Sequence, residues 1–209
     1  MSFPATPVLD DFNRANQNPP SSSWTAITLL GNLAVVSNTC KANAAGNCGN
    51  YYNPTTYGPP CEGRITIVTK GGTGDQVGVW LRTQQPGSGL TIDGYLIVWQ
   101  VAAGTDQLLI QRVDNGVATT LTTIGQEMNN GDVLGGRAIG STITAWVNGV
   151  QVGSATDSTY AAAGNLVLSV VNTTFVLDDF GGGTVPVGPL LYGGQLTKHG
   201  ILQGRLVHP

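Results

Sequence analysis

Apolar and polar residues alternate with a period of two along most of this chain, the pattern of half-buried β-strands. In residues 64–69, Ile65 and Ile67 stand against Arg64, Thr66 and Val68. In residues 76–83, Val77, Val79 and Leu81 share one face while Trp80 and Arg82 take the other. Residues 94–101 are apolar on both faces, as a central strand covered on both sides would be. Residues 106–113 and 117–123 flank Asp114-Asn115-Gly116, and Ile143, Ala145 and Val147 lead through Asn148-Gly149 to Val150 and Val152. Asn-Gly between apolar runs is a strong hairpin signal, because both residues tolerate positive φ. Shorter strands are predicted over 8–12, 24–28 and 33–36, with a Gly-interrupted one over 132–139. Roughly a dozen strands at 8–12-residue spacing predict an antiparallel sandwich. No segment carries a 3.6-residue period, and the one candidate helical turn lies near 158–163.

The pentapeptide Val8-Leu9-Asp10-Asp11-Phe12 recurs as Val176-Leu177-Asp178-Asp179-Phe180. One copy opens the body and the other closes it, so the first and last strands are expected side by side. Residues 38–60, rich in Asn, Ala, Gly, Tyr and Pro, read as a long loop. Gly181-Gly182-Gly183 reads as a flexible joint. A sandwich domain over 1–182 is then followed by an extended C-terminal arm over 183–209. The arm holds too many aliphatic residues for a solvated linker and is too short to fold alone. It is expected to dock on neighbouring subunits through Leu190, Leu191, Tyr192, Leu196, Ile201, Leu202, Leu206 and Val207.

Composition sharpens this picture. Only 10% of the 209 residues are charged and 30 are glycine, which suits an all-β protein rich in turns. A net charge of −3 leaves no basic footprint for nucleic acid. No apolar run reaches the roughly 20 residues of a membrane helix, and the N-terminus lacks the n- and h-regions of an export signal. Cys40, Cys48 and Cys61 make an odd count; a Cys40–Cys48 disulfide and three reduced thiols both remain open. His199 and His208 lie too far along the chain to build a zinc site with them.

Asp10-Asp11-Phe12-Asn13-Arg14-Ala15-Asn16, followed by a Ser-rich gap and Trp24, resembles the opening of concanavalin A-like (laminin G-like) jelly-roll domains. The stretch from Ile143 to Gly153 is similar to their late hairpin, and Leu177-Asp178-Asp179-Phe180 to their closing strand. The resemblance covers about residues 8–182. Such domains occur in secreted bacterial proteins and in structural proteins of tailed bacteriophages. A surface of extracellular character without an export signal suits a virion protein, assembled in the host cytoplasm and released by lysis. The resemblance therefore implies a non-enzymatic virion component, a minor tail or capsid decoration protein. Its partners would be other virion proteins, copies of itself and host cell-surface glycans. A carbohydrate-binding module of a secreted bacterial protein is the alternative.

Jelly rolls of this shape include glycoside hydrolases, whose Glu-x-Asp-x-x-Glu strand sets two carboxylates on one face. The two glutamates here, Glu62 and Glu127, each lack a nearby carboxylate, so no enzyme is expected. Sugar rings stack on aromatic faces beside polar groups. That points to Trp80 and Trp146, joined by Tyr95 or Trp99 and by Arg82, unless a loop, the arm or another subunit covers these rings. No cofactor is required. Asp11 and Asp179 are candidate ligands for a structural calcium ion; otherwise one Asp of each pair caps a turn and the other is solvated.

Overall fold

The computed structural model describes residues 2–186, and the residues of the expected arm from Leu190 to Val207 lie outside them. The described residues form fifteen strands and no helix. The eight-stranded sheet runs β13 (Val150–Thr156), β12 (Thr142–Val147), β11 (Val133–Ile139), β6 (Cys61–Thr69), β15 (Val176–Thr184), β4 (Thr39–Ala42), β3 (Leu33–Val36), with β1 (Val8–Asp10) also on β15. The seven-stranded sheet runs β10 (Val117–Gly125), β9 (Gln107–Asp114), β8 (Asp93–Gln100), β7 (Gln76–Gln84), β14 (Gly164–Val171), β5 (Asn47–Tyr57), β2 (Trp24–Ala26). All pairings between strands are antiparallel.

The inward residues of both sheets fill one core. Val77, Val79 and Leu81 from β7 meet Ile143, Ala145 and Val147 from β12 there, as their alternation predicts. Strand β8 is covered on both sides: Tyr95, Ile97 and Trp99 enter this core, while Leu96 and Val98 join a second cluster on the outer face. The segments around Ile27–Leu30 and Gly87–Ile92 are tied together by Thr28 N–H to Gly87 O (3.1 Å) and Gly89 N–H to Thr28 O (3.0 Å). Ile27, Leu30 and Ile92 from them pack into that cluster. Both hairpin turns form as expected, with positive φ at Asn115 and Gly116 and at Asn148 and Gly149.

The repeated pentapeptide does close the sandwich: β1 lies on β15, with Val8 opposite Gly181 and Asp10 opposite Phe180. Phe12 and Phe180 both pack on Trp24, at centroid distances of 6.0 and 4.9 Å.

Three local expectations fail. Residues 38–60 are mostly strand, because β4 pairs with β3 and β15 and β5 lies between β14 and β2. Neighbouring strands supply hydrogen bonds that override weak local propensity. Pro54 is tolerated because the β14 register jumps from Tyr52 to Tyr57 and leaves the residues between unpaired. The three glycines after Phe180 belong to β15 and are buried; a methyl group on Gly182 would collide with Leu166. Residues 158–163 form no helical turn. Cys40 and Cys48 sit on strands of opposite sheets, and all three cysteines are buried free thiols.

Candidate functional site

The candidate sugar-binding aromatics scatter. In the register of β7 with β8, Tyr95 lies opposite Leu81 and Trp99 opposite Val77. Directly paired residues share a face, so Tyr95 and Trp99 point inward and have no exposure at all. This corrects the expectation that either ring meets ligand. The Tyr95 hydroxyl donates to Asp157 Oδ1 (2.7 Å), and burial first of all pushes its pKa up to about 12. Trp99 Nε1 donates to Gln126 O (2.7 Å).

Arg82 is corrected too. Simple alternation places it outside with Trp80, but β7 slips register between Leu81 and Gln84, and Arg82 has a φ of +51°. This bulge re-aims the side chain. Its guanidinium is buried and donates to Pro59 O (2.8 Å), Gly140 O (2.8 Å) and Tyr160 O (3.0 Å), binding three loops together.

Trp80 and Trp146 do face outward, but from opposite sheets, so no single ligand spans both. Trp80 is 9% exposed within the second cluster and spends its Nε1 on Ser169 Oγ (2.9 Å). Trp146 is half-buried, donates from Nε1 to Thr144 Oγ1 (2.8 Å) and stacks one face on Phe3 at 4.9 Å. A shallow pocket of about 250 Å³ lies beside it, lined by Arg137, Ile139, Thr142, Thr144 and Gln151.

Phe3 belongs to an N-terminal segment that crosses the outer face of the eight-stranded sheet, a feature absent from the sequence reading. The fully buried Glu62 holds it: Oε1 accepts from Ala5 N–H (2.5 Å), Thr6 N–H (2.8 Å) and Thr6 Oγ1 (2.8 Å). Glu62 Oε2 accepts from Arg137 Nε (2.8 Å), and Arg137 Nη2 also donates to Ser2 O (2.7 Å). Glu62 and Arg137 are direct cross-strand partners on β6 and β11. Gly135 makes room for the Phe3 ring; a side chain there would collide with it. The clues in the sequence were an isolated glutamate within a strand and an outward glycine opposite a tryptophan.

A concavity lies where the two pentapeptides meet. This cleft of about 620 Å³ is lined by Val8, Leu9, Asp10, Asp11, Arg14, Ser21, Ser23, Tyr52 and Asp179. Its floor is preorganised. Asp10 is nearly buried and receives Arg14 Nη1 and Nη2 (both 2.6 Å), Phe12 N–H (2.8 Å) and Trp24 Nε1 (2.7 Å). Tyr52 packs edge-on against Trp24 at 5.4 Å. Asp11 and Asp179 are exposed at the rim. Asp11 Oδ1 also caps its own turn by accepting from Asn13 N–H (3.1 Å). Behind them, the Asp178 carboxyl is held above its ordinary range, first by burial and then by the neighbouring charges of Asp179, Asp11 and Asp10.

Among the described residues this cleft gathers no complete set of calcium ligands. The ion wants six to eight oxygens, whereas the Asp10 carboxylate is committed to Arg14 and Trp24. Among the described residues no three His, Cys, Asp or Glu side chains come together to hold a metal ion. Asp11 and Asp179 do share a cleft, but as two rim carboxylates.

No protein-family model and no curated protein matches this sequence. Solved structures do match. The carbohydrate-binding module CBM66 from Bacillus subtilis is 19% identical with a TM-score of 0.58, over 78% of this chain and 93% of that one. The carbohydrate recognition domain of Emp46p in its potassium-bound form is 9% identical with a TM-score of 0.62, over 88% and 98%. The β-glucanase of Bacillus licheniformis is 12% identical with a TM-score of 0.58, over 84% and 96%. At such identities the likeness carries the fold alone. Two antiparallel sheets in this order, closed by the paired pentapeptides, make the chain a concanavalin A-like jelly-roll β-sandwich.

Proposed function

We propose that this chain is a carbohydrate-binding module whose ligand sits in the cleft between the two pentapeptides. The observation that carries the reading is the lining of that 620 Å³ cleft. Its volume falls in the range of ligand sites, roughly 300–1,000 Å³. The carboxylates of Asp11 and Asp179 accept hydrogen bonds from vicinal hydroxyls, Ser21 and Ser23 both donate and accept, and Tyr52 contributes an aromatic surface. The Asp10–Arg14–Trp24 network fixes the floor, so little ordering cost falls on binding.

Binding without hydrolysis is the reading favoured. Glu62 is buried beneath the N-terminal segment and Glu127 accepts from Asp106 N–H (3.2 Å), so neither glutamate lines the cleft. Carbohydrate-binding and lectin-like domains among the matching structures support this reading more than they support a virion role. Either setting considered from the sequence, a phage particle or a secreted protein, would bring such a module to cell-surface glycans.

The test is a glycan array followed by titration calorimetry on the best ligand, with hydrolysis products assayed in parallel. A hydrogen bond to a charged group contributes about 1.5–3 kcal/mol, so Asp11→Ala and Asp179→Ala should each weaken binding roughly 10- to 150-fold. Trp80→Ala should leave binding unchanged. Full affinity in the Asp11→Ala, Asp179→Ala double variant would remove this site, and loss with Trp146→Ala alone would move it to the opposite sheet.

A further inference from the structure

We infer that the cleft between the two pentapeptides selects amino sugars, saccharides carrying a free ammonium group, over neutral and acidic ones. The inference rests on the carbohydrate reading of this cleft and adds the charge of its ligand. Asp10, Asp11, Arg14 and Asp179 are the charged residues of its lining. The cation among them is already matched. Arg14 gives Nη1 and Nη2 to Asp10 (both 2.6 Å) and Nε to Pro20 O (2.9 Å), so that pair adds no net charge. What faces a ligand is the negative charge of Asp11 and Asp179, both exposed at the rim.

Neither rim charge has a counter-ion within the sandwich. Among the described residues no Lys or Arg forms an ion pair with Asp11 or Asp179. Arg64 senses the Asp179 charge, but it donates to Thr6 O (2.9 Å) and stays outside the lining. Asp11 uses Oδ1 on the Asn13 N–H of its own turn (3.1 Å), and the Asp179 carboxylate accepts from no described residue. The backbone brings Asp179 to this place: β15 slips register against β6 between Asp178 and Gly181, and Asp179 has a φ of +50°. A bulge of this kind re-aims a side chain, and here it sets a second carboxylate on the cleft already lined by Asp11. The crowding is felt behind the rim. After burial, the charges of Asp179, Asp11 and Asp10 hold the Asp178 carboxyl above its ordinary range.

A ligand ammonium answers this arrangement. Like charges set together disfavour one another, and an opposite charge within hydrogen-bond reach relieves them. An ammonium group brings three N–H donors and no acceptor, and Asp11, Asp179 and a hydroxyl of Ser21 or Ser23 offer it acceptors. The sugar that carries it keeps an apolar ring face for Tyr52. N-acetylation of the same sugar removes the charge and leaves the ring unchanged, so charge selection separates two otherwise matched ligands. A uronic or sialic acid would set a further negative charge against the rim.

Titration calorimetry on the full chain tests this, with chitosan oligosaccharides against the same oligosaccharides fully N-acetylated, at about pH 6, well above the ordinary carboxylate range. Contact with each rim carboxylate contributes roughly fivefold on a water-facing surface, so the free-amine form should bind about 10- to 30-fold tighter. Asp11→Asn with Asp179→Asn removes both charges while keeping size, the turn cap and tolerance of positive φ. It should weaken the free-amine form more than the acetylated one and close most of the gap. Raising salt from about 0.05 to 0.5 M should act in the same direction. Equal affinity of the two forms, or no binding of the free-amine form, would overturn the inference alone. Spermidine bound as tightly as the free-amine oligosaccharide would overturn it as well, because charge without a sugar would then account for the site. The carbohydrate reading of the cleft falls only if no glycan's affinity depends on Asp11 and Asp179.

Discussion

Replacing Glu62 by alanine removes the carboxylate that faces the buried Arg137 charge and leaves the Ala5 and Thr6 amides without their acceptor. Glu62 has no exposure and Arg137 only 4%, so water cannot substitute without opening the sheet face. Breaking one side of a buried pair costs about 3–5 kcal/mol. For a domain of this size each kcal/mol lowers the melting temperature by roughly 2–4 °C, so the expected drop is roughly 6–20 °C. Thermal melts followed by circular dichroism measure it. Tryptophan emission should shift in the same variant, because Phe3 no longer stacks on Trp146 once the N-terminal segment loosens. Exchanging both partners, Glu62→Met with Arg137→Met, removes both charges together and should cost less than the single change. A drop of less than about 2 °C in Glu62→Ala, or a double variant as unstable as the single one, would refute the reasoning.

Arg82→Ala should lower stability by about 3 kcal/mol or more, since three loop carbonyls lose a buried donor at roughly 1–3 kcal/mol each; chemical denaturation reads this, and glycan binding should persist in the folded fraction. Asp178 holds its proton more tightly folded than unfolded, so its charged form costs stability once the pH rises above the ordinary Asp range near 3.9. Asp178→Asn should therefore melt higher than wild type at pH 7, with the gap closing as pH falls through that range; a gap unchanged between pH 3 and pH 7 would contradict it. Burial pushes the Cys61 thiol up to about 11 and raises Cys40 further. With all three cysteines buried and free, Ellman's reagent should find almost no reactive thiol in the native protein and three in denaturant.

Strand periodicity was legible where each residue's local chemistry agreed with its tertiary role. Val77, Val79 and Leu81 declared an inward face, and the Asn-Gly pairs at 115–116 and 148–149 declared their turns. The β5 strand was not legible, since its Asn, Gly, Tyr and Pro residues become strand only between β14 and β2. For the candidate site, the two pentapeptides pointed to a closing pair of strands and so to the place of the cleft. Ser21, Ser23 and Tyr52 were invisible as lining residues, because a loop brings the two serines there and Tyr52 arrives on β5, which its own residues did not declare as strand.

By itself, then, the sequence determined the class of structure, the faces of its longer strands and the meeting of its two repeated segments. Period-two alternation and turn chemistry are local properties, readable from neighbours along the chain. Only the tertiary structure decided which sheet each strand joined. That placed Trp80 and Trp146 on opposite sides, buried Tyr95 and Trp99, and turned Arg82 inward at a bulge. Only it laid the N-terminal segment over Glu62 and Arg137 and gathered Asp11 and Asp179 into one cleft. The physical reason is that alternation assigns a side chain to a face, while the partner of that face is set by pairings between residues far apart in the chain.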